Sequence, residues 1–330
     1  MKFLIIRFSS IGDVVLTSPV LRCLKRKYPS AEVHYLTKQQ FHPLLTANPH
    51  IDKFYLLEKD NLDELIDQMK HEKYDVIIDL HKNIRSLKVK TALEAKQVFS
   101  FNKINLAKWL IVNFKIDKLP EKHIVDRYFE GLTGLGITND GQGLDYYIWE
   151  KEIYDFVSSL TGTKYIAFAI GANRNTKKLP EEKIFEICSK IHQKIYVLGG
   201  KKEEETGKKL NDLFPQQIVN LCGILSVNES ALIIKHAQKV ITHDTGMMHI
   251  AAAFKKPIIS VWGNTIPEFG MYPYYGELHK FIEETQSSIF EVNGLSCRPC
   301  SKIGFDKCPK GHFKCMVEQD VEGIVRLANR

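Results

Sequence analysis

Short apolar runs followed by amphipathic stretches recur twice along this chain, and that alternation constrains its fold more than any single motif. In the first half the runs fall at residues 2–6, 32–36, 54–57, 76–80 and 97–100; in the second they fall at 165–169, 195–198, 219–221, 239–242 and 258–261. The segments between them carry helical spacing, residues 60–69 most clearly. Strands that alternate with helices pack as parallel sheets covered on both faces. Two such series predict an α/β protein of two Rossmann-like, doubly wound domains facing each other across a cleft. A length of 330 residues fits two domains. The division is expected near residue 155, with an N-terminal domain over 1–155 and a C-terminal domain over 156–330. The linker is read at the Gly/Asn/Asp-rich turn 138–143 or slightly later, at 158–162.

Composition narrows the class. An apolar share of 44% and a charged share of 26% are those of an ordinary globular protein. No apolar run approaches the ~20 residues needed to span a bilayer, and the chain enters its first strand at once, with no room for a cleaved signal peptide. No transmembrane segment is expected, and the location expected is cytoplasmic, at most peripheral on the inner face of the membrane. The net charge of +7 is unevenly spread: residues 82–127 hold 11 Lys/Arg against 4 Asp/Glu, a balance of 11 − 4 = +7. With Phe99, Phe101 and Trp109 among its lysines, this stretch suits an anionic acceptor or an acidic lipid surface, and Lys82 and Arg85 are its candidate acceptor contacts. A solvated lysine-rich face is the plainer alternative. No nucleic-acid-binding motif accompanies the charge, so no nucleic-acid partner is expected.

Two strand ends carry chemistry. The first strand leads into Ser9-Ser10-Ile11-Gly12-Asp13 and then an amphipathic helix with Pro19 in its early turns. Ligands of open α/β sheets collect at the carboxyl ends of strands, so Asp13 is aimed at a crevice. A first-turn charge favoured by the helix dipole would look the same. The strand at 239–242 runs into His243-Asp244-Thr245-Gly246-Met247-Met248-His249 and a small-residue helix, an arrangement that presents backbone N–H groups to phosphate oxygens. There Thr245 adds a hydroxyl, Gly246 allows close approach, and His249 can donate to the same anion. A simple N-cap at Asp244 is again the alternative. The turn Ile170-Gly171-Ala172-Asn173 brings Lys177 or Lys178 to the same sheet edge as a cation for a diphosphate leaving group, and Glu203, past Gly199-Gly200, can accept from ribose hydroxyls.

The run from Arg7 through Asp13 to Pro19, together with Asp244-Thr245-Gly246-Met247-Met248-His249-Ile250-Ala251-Ala252-Ala253, closely resembles the lipopolysaccharide heptosyltransferases of glycosyltransferase family 9. The resemblance implies a GT-B fold, an acceptor on the N-terminal domain, an ADP-sugar on the C-terminal domain, and inversion at the anomeric carbon with no metal and no other cofactor. It makes Asp13 the general base and has Lys177 steady the diphosphate. Asp244, Thr245, Gly246 and His249 hold that diphosphate, Glu203 reaches the ribose, and Ser10, Gly12, Gly171 and Ala172 complete the donor site. It also sends the last helix, near 321–330, back onto the first domain. The implied reaction moves a sugar, a heptose by this likeness, from the ADP-sugar to a hydroxyl of an anionic cell-envelope glycolipid such as lipopolysaccharide core. The chain departs from the family at Ile170 and at Trp262-Gly263-Asn264-Thr265, where relatives often carry Pro. A GT-B nucleotide-sugar epimerase or hydrolase would share the fold and the nucleotide site. A nicotinamide enzyme is disfavoured, because no Gly-x-Gly-x-x-Gly follows any strand.

Of seven cysteines, four fall in one loop as Cys297-x2-Cys300-x7-Cys308-x6-Cys315, with His312 nearby. These are zinc-ligand types with one tight knuckle but no second, which leaves structural zinc, reduced thiols or a loop disulfide open. Cys23, Cys188 and Cys222 lie in helix or strand patterns and read as small buried hydrophobes.

Overall fold

The computed structural model describes residues 1–59, 61–149, 164–277 and 287–330. In the first half the order is β1 (Lys2–Ile6), α1 (Ile11–Val15), α2 (Ser18–Lys27), β2 (Glu32–Lys38), β3 (Lys53–Leu57), α3 (Leu62–Lys70), β4 (Val76–Asp79), α4 (Ile84–Leu93), β5 (Gln97–Ser100), α5 (Asn105–Phe114) and α6 (Ile124–Glu130). In the second half it is β6 (Tyr165–Ala169), α7 (Glu181–Lys190), β7 (Lys194–Leu198), α8 (Glu204–Leu213), β8 (Ile218–Asn220), α9 (Val227–His236), β9 (Lys239–His243), α10 (Gly246–Ala253), β10 (Ile258–Trp262), β11 (Ser288–Glu291), α11 (Lys314–Val317) and α12 (Val321–Asn329). The boundary expected at residue 155 falls outside the described residues.

Every strand pair is parallel, and central strands such as β6 and β10 are buried at all their positions, the continuous apolar signature of sheets covered on both faces. The strand orders are β3-β2-β1-β4-β5 and β11-β10-β9-β6-β7-β8. Each order reverses direction once, between β1 and β4 in the first sheet and between β6 and β9 in the second. These are the topological switch points at which open sheets bind ligands, and the loops ending in Asp13, Gly171 and Asp244 leave from them.

The two halves meet through those same loops. Helix α1 packs on α10, so closely that a Cβ on Gly12 would lie 2.5 Å from His249 Cδ2 and one on Gly246 would lie 2.5 Å from Ile11 Cγ2. One apolar cluster runs through both halves, joining Phe3 and Val14 to Tyr165, Met248 and Trp262. The chain after β10 then crosses onto the first half. Gly270 O accepts from Ile124 N at 2.9 Å, Phe269 O accepts from Arg127 Nη2 at 2.9 Å, and Tyr274 OH donates to Asp126 at 2.8 Å.

The last helix does not make the expected return. Ile324, Val325 and Ala328 of α12 bury with the α7 residues Ile184 and Ile187; Lys190 pairs with Glu322, and Asn329 Nδ2 donates to Lys190 O at 3.0 Å. Its apolar face matches the groove beside α7 on its own sheet, so the crossing falls to residues 267–275 instead. Among the described residues no helix is long and apolar enough to cross a membrane.

Candidate active site

Asp13 sits at the third position of α1, where its Oδ2 accepts from Ser10 N at 3.1 Å and Ser10 Oγ at 2.7 Å, the reciprocal cap of a helix start. Its other oxygen is paired with Arg7. Arg7 is buried and held on three further acceptors, with Nε donating to Ser9 O at 2.9 Å and Nη1 donating to Leu80 O and, at 3.3 Å, to Tyr128 OH. Burial pushes the Asp13 carboxyl up, but the Arg7 charge and the two Ser10 hydrogen bonds outweigh it and hold the group below the usual carboxylate range. The Arg7 and Ser10 partners, rather than exposure to solvent, therefore set it.

Across the α1–α10 contact lies the second motif. Thr245 caps α10, its Oγ1 lying 3.3 Å from Thr242 Oγ1. Asp244 Oδ2 accepts from Lys177 Nζ at 2.5 Å and from Thr265 Oγ1 at 2.8 Å. Asp244 thus meets a lysine rather than an anion, and it fixes that lysine at the α10 N-terminus. His249 is 2% exposed, and its Nδ1 has no hydrogen-bond partner among the described residues. Burial brings its pKa down to about 4, against the pull of Asp244 and Asp13, so the ring is neutral near pH 7. A neutral imidazole flanked by Asp13 on one side and by Lys177 and Asp244 on the other marks the centre of the site.

The turn after β6 places Gly171 and Ala172 beside Glu203, such that a Cβ on Gly171 would come within 3.0 Å of Glu203 Oε2. Glu203 is buried and accepts from Lys178 Nζ at 2.8 Å and Gly200 N at 3.1 Å. The two neighbouring lysines, equivalent in the sequence, thereby part: Lys177 goes to Asp244 and Lys178 to Glu203. The candidate donor residues Ser10, Gly12, Gly171, Ala172, Glu203, Asp244, Thr245, Gly246 and His249 all gather at the facing sheet ends with Asp13 and Lys177.

The family model described as glycosyltransferase family 9 (heptosyltransferase) matches residues 63–291. The chain belongs to glycosyltransferase family 9. It is 28% identical over 292 residues to lipopolysaccharide heptosyltransferase 1 of Campylobacter coli, covering 80% of this chain and 84% of the relative. Its fold superposes on the family 9 glycosyl transferase of Veillonella parvula with a TM-score of 0.77, at 21% identity, covering 99% of this chain and 96% of the other. It also superposes on E. coli heptosyltransferase WaaC with ADP, with a TM-score of 0.66 at 22% identity over 86% and 100% of the two chains. The two facing doubly wound sheets are the GT-B arrangement of this family, and the protein is a glycosyltransferase.

The two residues expected as acceptor contacts, Lys82 and Arg85, differ in their surroundings. Lys82 turns back to donate to Phe101 O at 3.1 Å, and Arg85 stands exposed on α4. Cations closer to Asp13 come from residues whose spacing gives no sign of convergence. Burial lowers Lys103, and Arg7 lowers it further. Burial also lowers Lys108, to about 8, with Arg127 and Lys302 adding to the effect and Asp13 opposing it. Arg127 is 2% exposed, and its Nε and Nη1 have no hydrogen-bond partner among the described residues. Arg7 opens the first motif, but its pairing with Asp13 emerges only in the fold. Among the described residues, Glu32 and His34 of β2 and Glu72 in the turn after α3 bring three carboxylate or imidazole donors within 4.8 Å of one another, and Glu72 already holds Lys2 and Lys53.

Among the cysteines, Cys23, Cys188 and Cys222 are buried, and burial raises their thiols to about 11, 12 and 12. None of the seven cysteines is joined to another by a disulfide.

Proposed function

We propose that this protein transfers a heptose from ADP-heptose to a hydroxyl of a lipopolysaccharide-type acceptor by a single inverting displacement. The observation that carries the reading is the α1–α10 contact, which sets a carboxylate opposite a lysine-bearing helix N-terminus across one small space. Asp13 takes the acceptor hydroxyl proton as that oxygen bonds the anomeric carbon. The bond from that carbon to the diphosphate oxygen breaks, and the electron pair leaves with ADP. Lys177 and the N–H groups of α10 receive the developing charge. Asp244 keeps Lys177 in place, His249 supplies a neutral donor, and Glu203 offers its carboxylate to the ribose. The family description and the Campylobacter relative support heptose as the sugar, and the ADP bound by the E. coli neighbour supports the nucleotide. Leaving-group stabilisation rests here on Lys177 and a helix end, so no step is assigned to a metal.

On the acceptor side, Lys103, Lys108, Arg127 and Lys302 make the neighbourhood of Asp13 attractive to a phosphate- or carboxylate-bearing saccharide. Leu106, Trp109 and Phe114 of α5, 70%, 52% and 57% exposed, stand beside that basic region. They fit an enzyme working from the cytoplasm at the inner membrane surface. Purified protein should release ADP from ADP-heptose only when a truncated lipopolysaccharide acceptor is present, without added divalent cation, and should be stabilised against heat by ADP. Stabilisation by UDP alone, or sugar release without acceptor, overturns the reading.

A further inference from the structure

We propose that Cys297, Cys300, Cys308 and Cys315 bind one thiophilic metal ion, zinc or iron, as a structural clamp on the loop that supports Lys177. The inference concerns a place away from the transfer chemistry and does not depend on the reading above.

The four cysteines arrive from separate turns and from the start of α11, yet all line one cavity of about 10 Å³, together with His312 and Asn264. That is room for one water-sized sphere and little more. Cys297 Sγ lies 3.8 Å from His312 Nε2. Two donors on one tetrahedral ion, with metal–sulfur near 2.3 Å and metal–nitrogen near 2.0 Å, would stand roughly 3.6 Å apart. His312 is then placed either as a hydrogen-bond partner of the Cys297 sulfur or as its stand-in. The sulfurs line this space without being gathered, as a set of three, within 4.8 Å of one another, so binding draws them inward.

Asn264 provides an independent sign of a bound group. It is 2% exposed, lines the same cavity, and among the described residues neither its Oδ1 nor its Nδ2 has a hydrogen-bond partner. A buried amide with both ends unsatisfied is costly unless something occupies the space it faces, and N–H donation to a metal-bound thiolate would use it. An all-thiolate set selects zinc or iron among common ions.

The loop has reason to be clamped. Between β11 and α11 it carries no helix or strand, so few of its backbone groups are fixed by regular pairing. Yet Phe305 N donates to Thr176 Oγ1 at 2.7 Å and Phe305 O accepts from Thr176 N at 3.1 Å, next to Lys177. Arg298 donates to Gly263 O at 2.6 Å and to Thr265 O at 2.8 Å, and Thr265 is the hydroxyl that holds Asp244. An ion fixing residues 297–315 would therefore fix both partners of the Lys177–Asp244 pair.

The test is elemental analysis of the full-length, untagged protein from zinc- and iron-supplemented medium, desalted in the presence of a mild chelator. About one ion per chain is expected, and X-ray absorption of that sample should show a shell of sulfur neighbours near 2.3 Å. Cys300→Ser and Cys308→Ser should each lose the ion, whereas Cys23→Ser keeps it. If the serine variants fail to fold, stepwise thiol modification of the wild-type protein should release the ion in proportion to the cysteines blocked. Metal-free protein in which the four thiols titrate freely overturns the proposal. A mass showing hydrogens lost to a disulfide in this loop, or a shell of nitrogen and oxygen only, overturns it as well.

Discussion

At the scale of single residues, the Asp13 carboxylate is both a helix cap and the partner of a buried arginine, and its pKa lies below the usual range. Asp13→Asn keeps the size and the Ser10 contacts, so the cap changes by a few tenths of a kcal/mol. Loss of a general base costs ~10²–10⁴ in rate, about 3–5 kcal/mol. Turnover per folded molecule should fall by that factor with ADP affinity nearly unchanged; a rate within tenfold of wild type would leave Asp13 only its capping role. A base must be deprotonated, so activity is lost as pH falls through the Asp13 pKa, and the Arg7 charge with the Ser10 hydrogen bonds sets that acid limb below the usual carboxylate range. Arg7→Gln removes the charge that opposes burial, and the acid limb of kcat/KM should move upward by about one pH unit or more. The sequence displayed Asp13 plainly because the strand–turn–helix pattern is local. It could not display Arg7 as its partner, nor Lys103, Lys108 and Lys302 as neighbours, because only tertiary folding brings those cations to one place. Lys177 and Lys178 likewise part only in the folded chain, by which carboxylate each one reaches.

At the scale of elements, the α1–α10 contact is the joint on which the site depends, and two glycines set its closeness. A Cβ at Gly246 would meet Ile11 Cγ2 at 2.5 Å and the backbone N of Gly12 at 3.1 Å, so movement of a side chain alone cannot relieve it. Gly246→Ala should cost about 1–3 kcal/mol. The melting temperature should drop by a few degrees, and transfer should fall more than ADP binding does, because the two motifs are wedged apart. A second joint ties α2 to the chain leaving the first half, where Arg22 Nε and Nη2 each donate to Asp140 at 2.8 Å. Those hydrogen bonds pull Asp140 down to about 2, so the pair stabilises the fold above the unfolded carboxyl pKa near 3.9 and the contribution is lost as pH falls toward 2. Asp140→Asn should lower stability by about 1–2 kcal/mol at pH 7, and denaturation curves should show the gap from wild type closing between pH 4 and pH 2. The parallel strands were legible almost to the residue, because full burial writes continuous apolar runs. The strand β11 was missed: Ser288-Ile289-Phe290-Glu291 is short, half-polar and at a sheet edge. The course of α12 was misjudged because it was carried over from the family resemblance, whereas this helix's own apolar face packs beside α7.

At the scale of the whole molecule, the two sheets share one apolar cluster, and residues 267–275 lock onto α6, so the two halves are tied together. An exposed apolar face lies on α5 of the first half. Leu106, Trp109 and Phe114 expose large apolar area on α5, and the surrounding stretch carries the chain's excess of positive charge. Apolar area next to cations is the composition that binds an anionic lipid surface, the apolar groups entering the interface while the cations meet the headgroups. Flotation with vesicles rich in phosphatidylglycerol should carry the protein upward, whereas neutral vesicles should not, and high salt should weaken the association because part of it is Coulombic. Removing one buried aromatic from such an interface costs about 1.5–3 kcal/mol. Trp109→Ser should therefore reduce partitioning by roughly tenfold or more while leaving turnover of a water-soluble acceptor fragment unchanged. Equal flotation of the wild-type protein and the Trp109→Ser variant would show that α5 faces water during catalysis and that the acceptor is drawn from the membrane by the cations alone.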